Sequence, residues 1–516
     1  MKLAKAMVTV AGMTGLSRIA GFVRDILTAA FLGAGPVADA FFIALKLPNF
    51  FRRVTAEGAF SIAFVPLYSR TLQTEGKDEA NRFASNAFMI MLCVLSVFTL
   101  LVMIFMPYVI MVITPGFIGD ALRQPMAVEF SRITFPYLLL MSLTALLGGV
   151  LNAHDRFAPF AFAPVLFNVS LIVALLVSGY FENAGYAMSW GILVAGILQL
   201  LFLWVAAFRN NVRITFKKPI LDAKTKRVFR LMGPAMIGAG VMHINLFADL
   251  IIASLLEEGA ISYLYYADRL NQLPLGVVGI AVGTALLPML ARAMELEDKS
   301  QSRNLFNRAL EYCLLLALPA AVALAAIPLP LITVLFERGA FMASDSLMTA
   351  SVLMAYAMGL PAYIAIKVFS TAHWAREDTV TPVKISVVAT ILNIVMSIAL
   401  IQYIGVVGIA LATGIAGWVQ FFAHIHYLKD HSSAQLDAQF KFVVVKIIIS
   451  SLIMGASLYG AAFILHDYIF SAFFLTRITA LGGLVIFGIL IYGTLILGLK
   501  VVKLSDIKRH LLKKGT

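Results

Sequence analysis

Apolar runs long enough to cross a bilayer recur from about residue 6 to Lys500, and they leave no room for a soluble domain. Of the 516 residues only 13% are charged, against roughly 25% in soluble domains. The sequence therefore predicts an all-α polytopic membrane protein with roughly fourteen spans. They fall near 6–33, 37–69, 84–113, 127–152, 158–180, 185–208, 230–256, 260–291, 307–335, 346–372, 382–402, 404–428, 441–465 and 476–500. The second and eighth are long enough to be kinked or broken, and Pro48 and Pro274 sit where a break would fall.

A net charge of +13 would point to nucleic acid in a soluble protein. Here the basic residues gather in short connections, as cytoplasmic membrane loops do. "RTLQTEGKDEANR", "RNNVRITFKKPILDAKTKRVFR", the Arg292–Arg308 stretch and "KLSDIKRHLLKK" alternate with "FLGAGP", "YFENAG" and "LLEEGA", which hold almost no Lys or Arg. Both termini are thus expected in the cytoplasm, as an even number of spans also requires. The amino-terminal segment opens like a signal peptide, but Arg18 and Arg24 interrupt its apolar region and no convincing cleavage site follows. It reads as a retained first helix. Cys93 and Cys313 fit no CxxC or Cys/His metal spacing and read as packing residues.

The chain also repeats itself. "KLPNFF" (46–51) resembles "NQLPLG" (271–276), and "VPLYSR" (65–70) resembles "LPMLAR" (287–292). "MPYVIMVITPGF" (106–117) pairs with "LPLITVLFERGAF" (329–341), and "TFPYLLLMSL" (134–143) loosely with "GLPAYIAIKV" (359–368). The offset stays near 222 to 226 residues. Six spans followed by six in the same order predict two parallel lobes, related by an axis along the membrane normal. The boundaries are a first lobe at 1–208, a basic cytoplasmic linker at 209–229 and a second lobe at 230–428. The remainder, 429–516, holds two extra C-terminal helices and a basic cytoplasmic tail.

The spans are not uniformly apolar. In "ADAFFIALKLPNFFRR" (38–53), Asp39, Lys46 and Arg53 recur at intervals of seven and so share one helix face. The first span adds Ser17, Arg18, Arg24 and Asp25. An ionised side chain at mid-bilayer costs roughly 2.5–3.5 kcal/mol on insertion scales, so such stripes persist where they face water, pair with one another, or both. Singly, Arg18, Arg24 or Arg52 could snorkel to an interface, and Asp25 could simply neutralise Arg24. As a set they keep a cationic excess: Arg18, Arg24, Lys46, Arg52 and Arg53 face only Asp25, Asp39 and Glu57. A cavity with surplus guanidinium suits an anion, because Arg forks match phosphate oxygens two at a time. The second half offers less, with Asp268 and Arg269 in the eighth span and Lys367 in the tenth.

No P-loop, GxSxG or HExxH is present. The Gly-rich "GVVGIAVGTALLP" (276–288) lies inside a span, where small residues serve close packing. The chain is therefore expected to be a transporter and not an enzyme, without a cofactor. Its energy would come from a gradient, the membrane potential or substrate asymmetry. A scaffold would have no need of buried Arg, and a drug-cation antiporter would want acidic rather than Arg-rich cavities.

Several stretches resemble the MurJ (MviN) family of bacterial lipid II flippases: "MTGLSRIAGFVRD", "ADAFFIALKLPNFFRRVTAEGAFSIAFVPL", "LNAHDRFAPFAFAPVLFN", "YYADRLNQLPLGVVGIAVGTALLP" and "TPVKI". The resemblance runs through all expected spans. It implies two six-helix lobes in a V-shaped arrangement that move undecaprenyl-linked peptidoglycan precursor across the bacterial inner membrane by alternating access. By that resemblance the diphosphate-binding arginines fall on Arg24, Arg52 and Arg269. Asp39 and Ser17 match neighbouring polar positions, and Arg18, Lys46, Arg53, Glu57 and Lys367 match other charged cavity positions. The two extra spans match a hydrophobic groove for the lipid tail, and Gln272 stands where some relatives carry Glu. The implied partners are lipid II, membrane lipids and the peptidoglycan synthesis machinery, with no nucleic acid, and the chain is expected to act as a monomer. A flippase for another polyprenyl-diphosphate oligosaccharide, of O-antigen type, is the nearest alternative, and the "TAEGAF" block tells against it.

Overall fold

The computed structural model describes residues 2–53, 60–281, 299–429 and 435–501, and the regular structure among them is helical. The first half comprises α1 Lys2–Leu32, α2 Pro36–Arg52, α3 Ser61–Thr74, α4 Lys77–Ile104, α5 Met106–Ile113, α6 Arg123–Thr134, α7 Tyr137–Ala153, α8 Ala158–Leu176 and α9 Ala184–Arg209. Then follow α10 Ala223–Ser254, α11 Ala260–Ala281, α12 Lys299–Ala326, α13 Pro328–Phe336, α14 Ala343–Trp374, α15 Val380–Ile404 and α16 Val406–Leu428. The chain continues through α17 Ala438–Ile464, α18 His466–Ile469 and α19 Phe474–Gly498. Among the described residues ten helices are long and apolar enough to cross a membrane, with α6 and α7 taken as one. The four expected spans outside that set are 6–33, 37–69, 230–256 and 260–291, and each carries ionisable side chains, Arg24, Lys46, Asp249 and Arg269 among them. Parts of 37–69 and 260–291 lie outside the described residues.

The chain forms two compact units, Met1–Ser262 with Arg338–Phe341, and Tyr263–Glu337 with Met342–Thr516. In the first, α8 packs on α1 and α9, α7 on α9 and α4, α2 on α6, and α10 on α3 and α4. Segment 338–341 joins it through backbone contact: Ala340 N donates to Ala30 O at 2.8 Å. Gly33 (φ 65°) and Gly339 (φ 59°) make that approach possible, since a Cβ would stand 2.4 Å from Ala340 O or 2.3 Å from Ala30 O, respectively. In the second unit α14 packs on α12, α13 and α16, α15 on α16, and α17 on α12 and α19.

Two features of the duplication reappear in the helices. The paired segments at 106–117 and 329–341 each form a short helix with Pro in its first turn, α5 and α13, where the missing N–H is harmless. Among those ten helices the most enclosed are Arg123–Ala153 and Ala343–Trp374, with 78% and 72% of their apolar windows buried against 22–44% in the other eight. Both are fourth in their expected set of six.

Of the two alternatives, kinked or broken, neither helix is broken at its proline. α2 continues through Pro48 to Arg52, and α11 through Pro274 to Ala281. Pro48 lacks the N–H that would bond Ala44 O, and Thr134 Oγ1 of α6 donates to that carbonyl instead (2.8 Å). The expected linker is also shorter in non-helical form, 210–222, because α10 starts at Ala223 with Asp222 Oδ1 accepting from Thr225 N (2.8 Å).

Candidate functional site

Arg24 is an arginine on an apolar helix, yet only 8% of it is exposed. Its Nε and Nη2 donate to Asp25 Oδ1 at 3.2 and 2.6 Å, and its Nη1 donates to Asn168 Oδ1 of α8 at 2.9 Å. The guanidinium lies 5.8 Å from the Phe167 ring centroid. Asn168 Nδ2 donates in turn to Ser17 O at 3.0 Å and approaches Ser17 Oγ at 3.4 Å. Ser17 and Arg24 are seven apart and so lie on one face of α1, the face that meets α8. Four polar side chains thus form one connected set inside the first unit, and the guanidinium plane is held from two sides. A fork fixed in this way can meet a phosphate without first losing rotamer freedom.

The stripe on α2 grades from inside to outside. Asp39 is fully buried, Lys46 half-buried, and Arg53 exposed at the end of the helix. Both Asp39 oxygens are engaged: Oδ2 accepts from Gly259 N (2.8 Å), and Oδ1 accepts from Ser262 N (2.9 Å) and Ser262 Oγ (2.6 Å). These groups begin α11, so the carboxylate caps a helix N-terminus that lies 220 residues away in sequence. The structure therefore gives Asp39 a capping role beside the polar role that resemblance implied. Arg52 is half-buried, and its Nε donates to Asn49 Oδ1 (3.2 Å), while Asn49 Nδ2 donates to Leu45 O (2.7 Å). Arg18 is exposed on α1, and Glu57 lies outside the described residues.

In the second unit Arg269 is half-buried, with its guanidinium carbon 4.5 Å from the Tyr265 ring centroid one turn earlier on α11. Gln272 donates through Nε2 to the Asp268 carboxylate on the same helix. Lys367 is half-buried on α14. The structure thus joins Ser17 to Arg24 and places Arg52 and Arg269 each beside a local partner. It adds residues that the sequence did not single out: Asn168, Asn49 and Ser262. Asn168 left a signal, because an amide inside the apolar run "APFAFAPVLFNVSLIVALL" needs a partner. Ser262 left none, since its partner is remote in the chain.

Residues 28–479 match the family model described as lipid II flippase MurJ. A probable lipid II flippase MurJ of Rhizobium meliloti (strain 1021) is 41% identical over 491 residues, covering 94% of this chain and 92% of the relative. The lipid II flippase MurJ of Burkholderia cenocepacia is 35% identical over 420 residues, covering 80% and 81%. Among solved structures, lipid II flippase MurJ in an inward closed conformation matches with a TM-score of 0.79 at 27% identity, covering 98% of this chain and all of that one. An inward-facing multidrug resistance MATE transporter of the MOP superfamily matches with a TM-score of 0.69 at 14% identity, a likeness of fold alone.

Proposed function

The chain belongs to the lipid II flippase MurJ family, and we propose that it carries lipid II from the cytoplasmic to the periplasmic leaflet of the bacterial inner membrane by alternating access. It is a multi-pass membrane protein, and in this reading both termini are cytoplasmic. The observation that carries the proposal is the buried Arg24 fork, held between Asp25 and Asn168. Asp25 pairs with that guanidinium at 2.6 Å and offsets the cost of burying it, and the orientation that Asn168 adds is what suits it to an anionic cargo.

In the proposed cycle Arg24, Arg52 and Arg269 take phosphate oxygens of the diphosphate, with Ser17, Arg18, Lys46, Arg53, Glu57 and Lys367 as further polar positions. Asp39 would position the start of α11. The duplicated stretches, 1–208 and 230–428, act as the two lobes, and 429–516 receives the polyprenyl tail. A recess of about 290 Å³ in the second unit, bordered by Leu465, Tyr468, Thr476 and Ala480, supports that last assignment. No step in this cycle calls for bond making, so the side chains bind and release without covalent chemistry. The driving force is the membrane potential acting on the charged head group and on the cationic helices.

The decisive experiment depletes the native protein in its host and measures which leaflet holds lipid II, with wild type, Arg24→Ala or Arg24→Lys supplied in its place. Wild type should restore outward transfer and Arg24→Ala should not, although it inserts normally. Arg24→Lys should restore only part, because an ammonium cannot supply the fork. Lipid II that still reaches the outer leaflet after depletion, in a host with no second flippase, would point to another polyprenyl-diphosphate cargo.

A further inference from the structure

Apart from the charged helices, the first unit has an apolar recess of about 70 Å³ between α4, α7 and α10, with Phe60, the residue before α3, also on its wall. Phe83, Met91 and Leu95 line it from α4, and Val228, Phe229 and Met232 from α10. Its two hydroxyls are already committed: Ser142 Oγ donates to Leu138 O (2.7 Å), and Thr225 Oγ1 accepts from Asn86 Nδ2 (2.9 Å). The recess therefore suits a hydrocarbon chain and nothing polar. From Phe83 to Leu95 its α4 wall runs about 18 Å at 1.5 Å per residue. That is close to the depth of one leaflet, half of a hydrocarbon core of about 30 Å.

At the shallow end of this wall lies the basic connection. It is pinned to α4 in extended form, with Ser85 Oγ accepting from Thr215 N (3.0 Å) and Asn86 paired both ways with Ile220 (2.8 and 2.7 Å). Phe216 and Ile220 remain 66% and 67% exposed on it. Lys224 is neutralised by Glu75 and Glu79 at 2.7 and 3.5 Å. Arg213, Lys217, Lys218, Lys226, Arg227 and Arg230 are exposed, and none of them forms an ion pair among the described residues. Lys226 and Arg230 are one helical turn apart on the exposed face of α10, next to Phe229, the partly exposed residue of the recess lining.

We propose that this is a site for an anionic glycerophospholipid of the surrounding bilayer. One acyl chain runs along α4 with a few of its methylenes seated in the recess, and the phosphate-bearing head group rests on Lys226 and Arg230. The exposed Phe216 and Ile220 place the pinned connection in the interfacial layer, where basic residues attract anionic head groups. None of these residues is among those assigned to lipid II.

The test uses the full-length protein in nanodiscs doped with a phosphatidylglycerol or a phosphatidylcholine that carries a photoactivatable diazirine in its acyl chain, with labelled peptides mapped by mass spectrometry. Phosphatidylglycerol should label 83–95 and 225–232 at least fivefold more than phosphatidylcholine does. Lys226→Glu with Arg230→Glu should lower that labelling to the phosphatidylcholine level. Ala87→Phe, which fills the recess, should remove it while the exposed Val97 and Leu100 stay labelled. The charge variants are on the exposed surface and keep the test valid if Ala87→Phe does not fold. Equal labelling by both probes, labelling that survives Ala87→Phe, or labelling confined to Val97 and Leu100 would each overturn the proposal.

Discussion

Arg24 illustrates how a charge survives on an apolar helix. Its own neighbour, Asp25, is a contact the sequence could anticipate, but the orientation of the fork depends on Asn168, 144 residues away. A hydrogen bond to a charged group contributes about 1.5–3 kcal/mol, and each 1.4 kcal/mol is about tenfold in an equilibrium. Asn168→Ala should therefore weaken head-group capture by about ten- to a hundredfold, measured as lipid II transfer in proteoliposomes. The insertion and thermal midpoint of the variant should be checked alongside. Wild-type transfer by Asn168→Ala would mean that Asp25 alone positions the guanidinium. At this scale the sequence told which side chains were out of place in lipid, because that depends on composition along the chain. It could not tell which partner each had found. Asp39 makes the same point, since its carboxylate caps α11 through Gly259 and Ser262.

Helix existence was legible, since hydropathy and span length decide it in a bilayer, whereas helix endings were not. Pro48 read as a break because it removes one hydrogen bond, but the orphaned Ala44 carbonyl is satisfied from α6 by Thr134. The two residues should be coupled. Thr134→Val should cost about 1–3 kcal/mol, the penalty for a buried acceptor left without a donor. In a Pro48→Ala background the restored N–H can bond Ala44 O, so the same Thr134→Val change should cost much less. Thermal unfolding of the four proteins in detergent gives the cycle, and equal losses in both backgrounds would show that the hydroxyl does not replace the missing donor. A second element boundary is sensitive to pH. Asp378, in the turn before α15, accepts from Thr381 N (3.0 Å) and contacts His373 Nδ1 (2.9 Å). Burial pushes its carboxyl up, but the hydrogen bonds from Thr381 and His373 outweigh this and hold it at about 2. A lowered value stabilises the fold above the unfolded carboxyl value near ~3.9, and that contribution is lost as pH falls through about 2. The thermal midpoint of wild type should drop between pH 5 and 2 by more than that of Asp378→Asn, which cannot titrate there. Parallel curves would remove Asp378 from the acid response.

For the molecule as a whole, the duplication was readable because each repeat keeps the same proline and small-residue punctuation. The structure matches it in the short helices α5 and α13 and in the burial of the fourth span of each set. Compactness follows contacts instead of repeats, so α10 packs with the first unit and the division falls at Ser262. A sequence repeat records order along the chain, and it does not say which faces will be covered. What the whole molecule must still explain is its direction of transport, and the charge inventory supplies a physical answer. Cationic side chains on membrane helices, Lys46 and Arg52 among them, make the protein itself responsive to a field. Each negative charge that moves outward across an inside-negative membrane gains about 2.3 kcal/mol per 100 mV if it crosses the full field. The same field favours returning an empty cationic site toward the inside. Both halves of the proposed cycle are then driven the same way without a chemical fuel. In proteoliposomes with a potassium diffusion potential, lipid II transfer should rise several-fold between 0 and about 100 mV in the inside-negative sense. It should fall when the polarity is reversed. Arg24→Lys, which keeps the charge but not the fork, should retain the voltage dependence at a lower rate. A rate that ignores the potential would shift the driving force to an ion gradient or to consumption of the product, and the cationic residues would then serve binding alone.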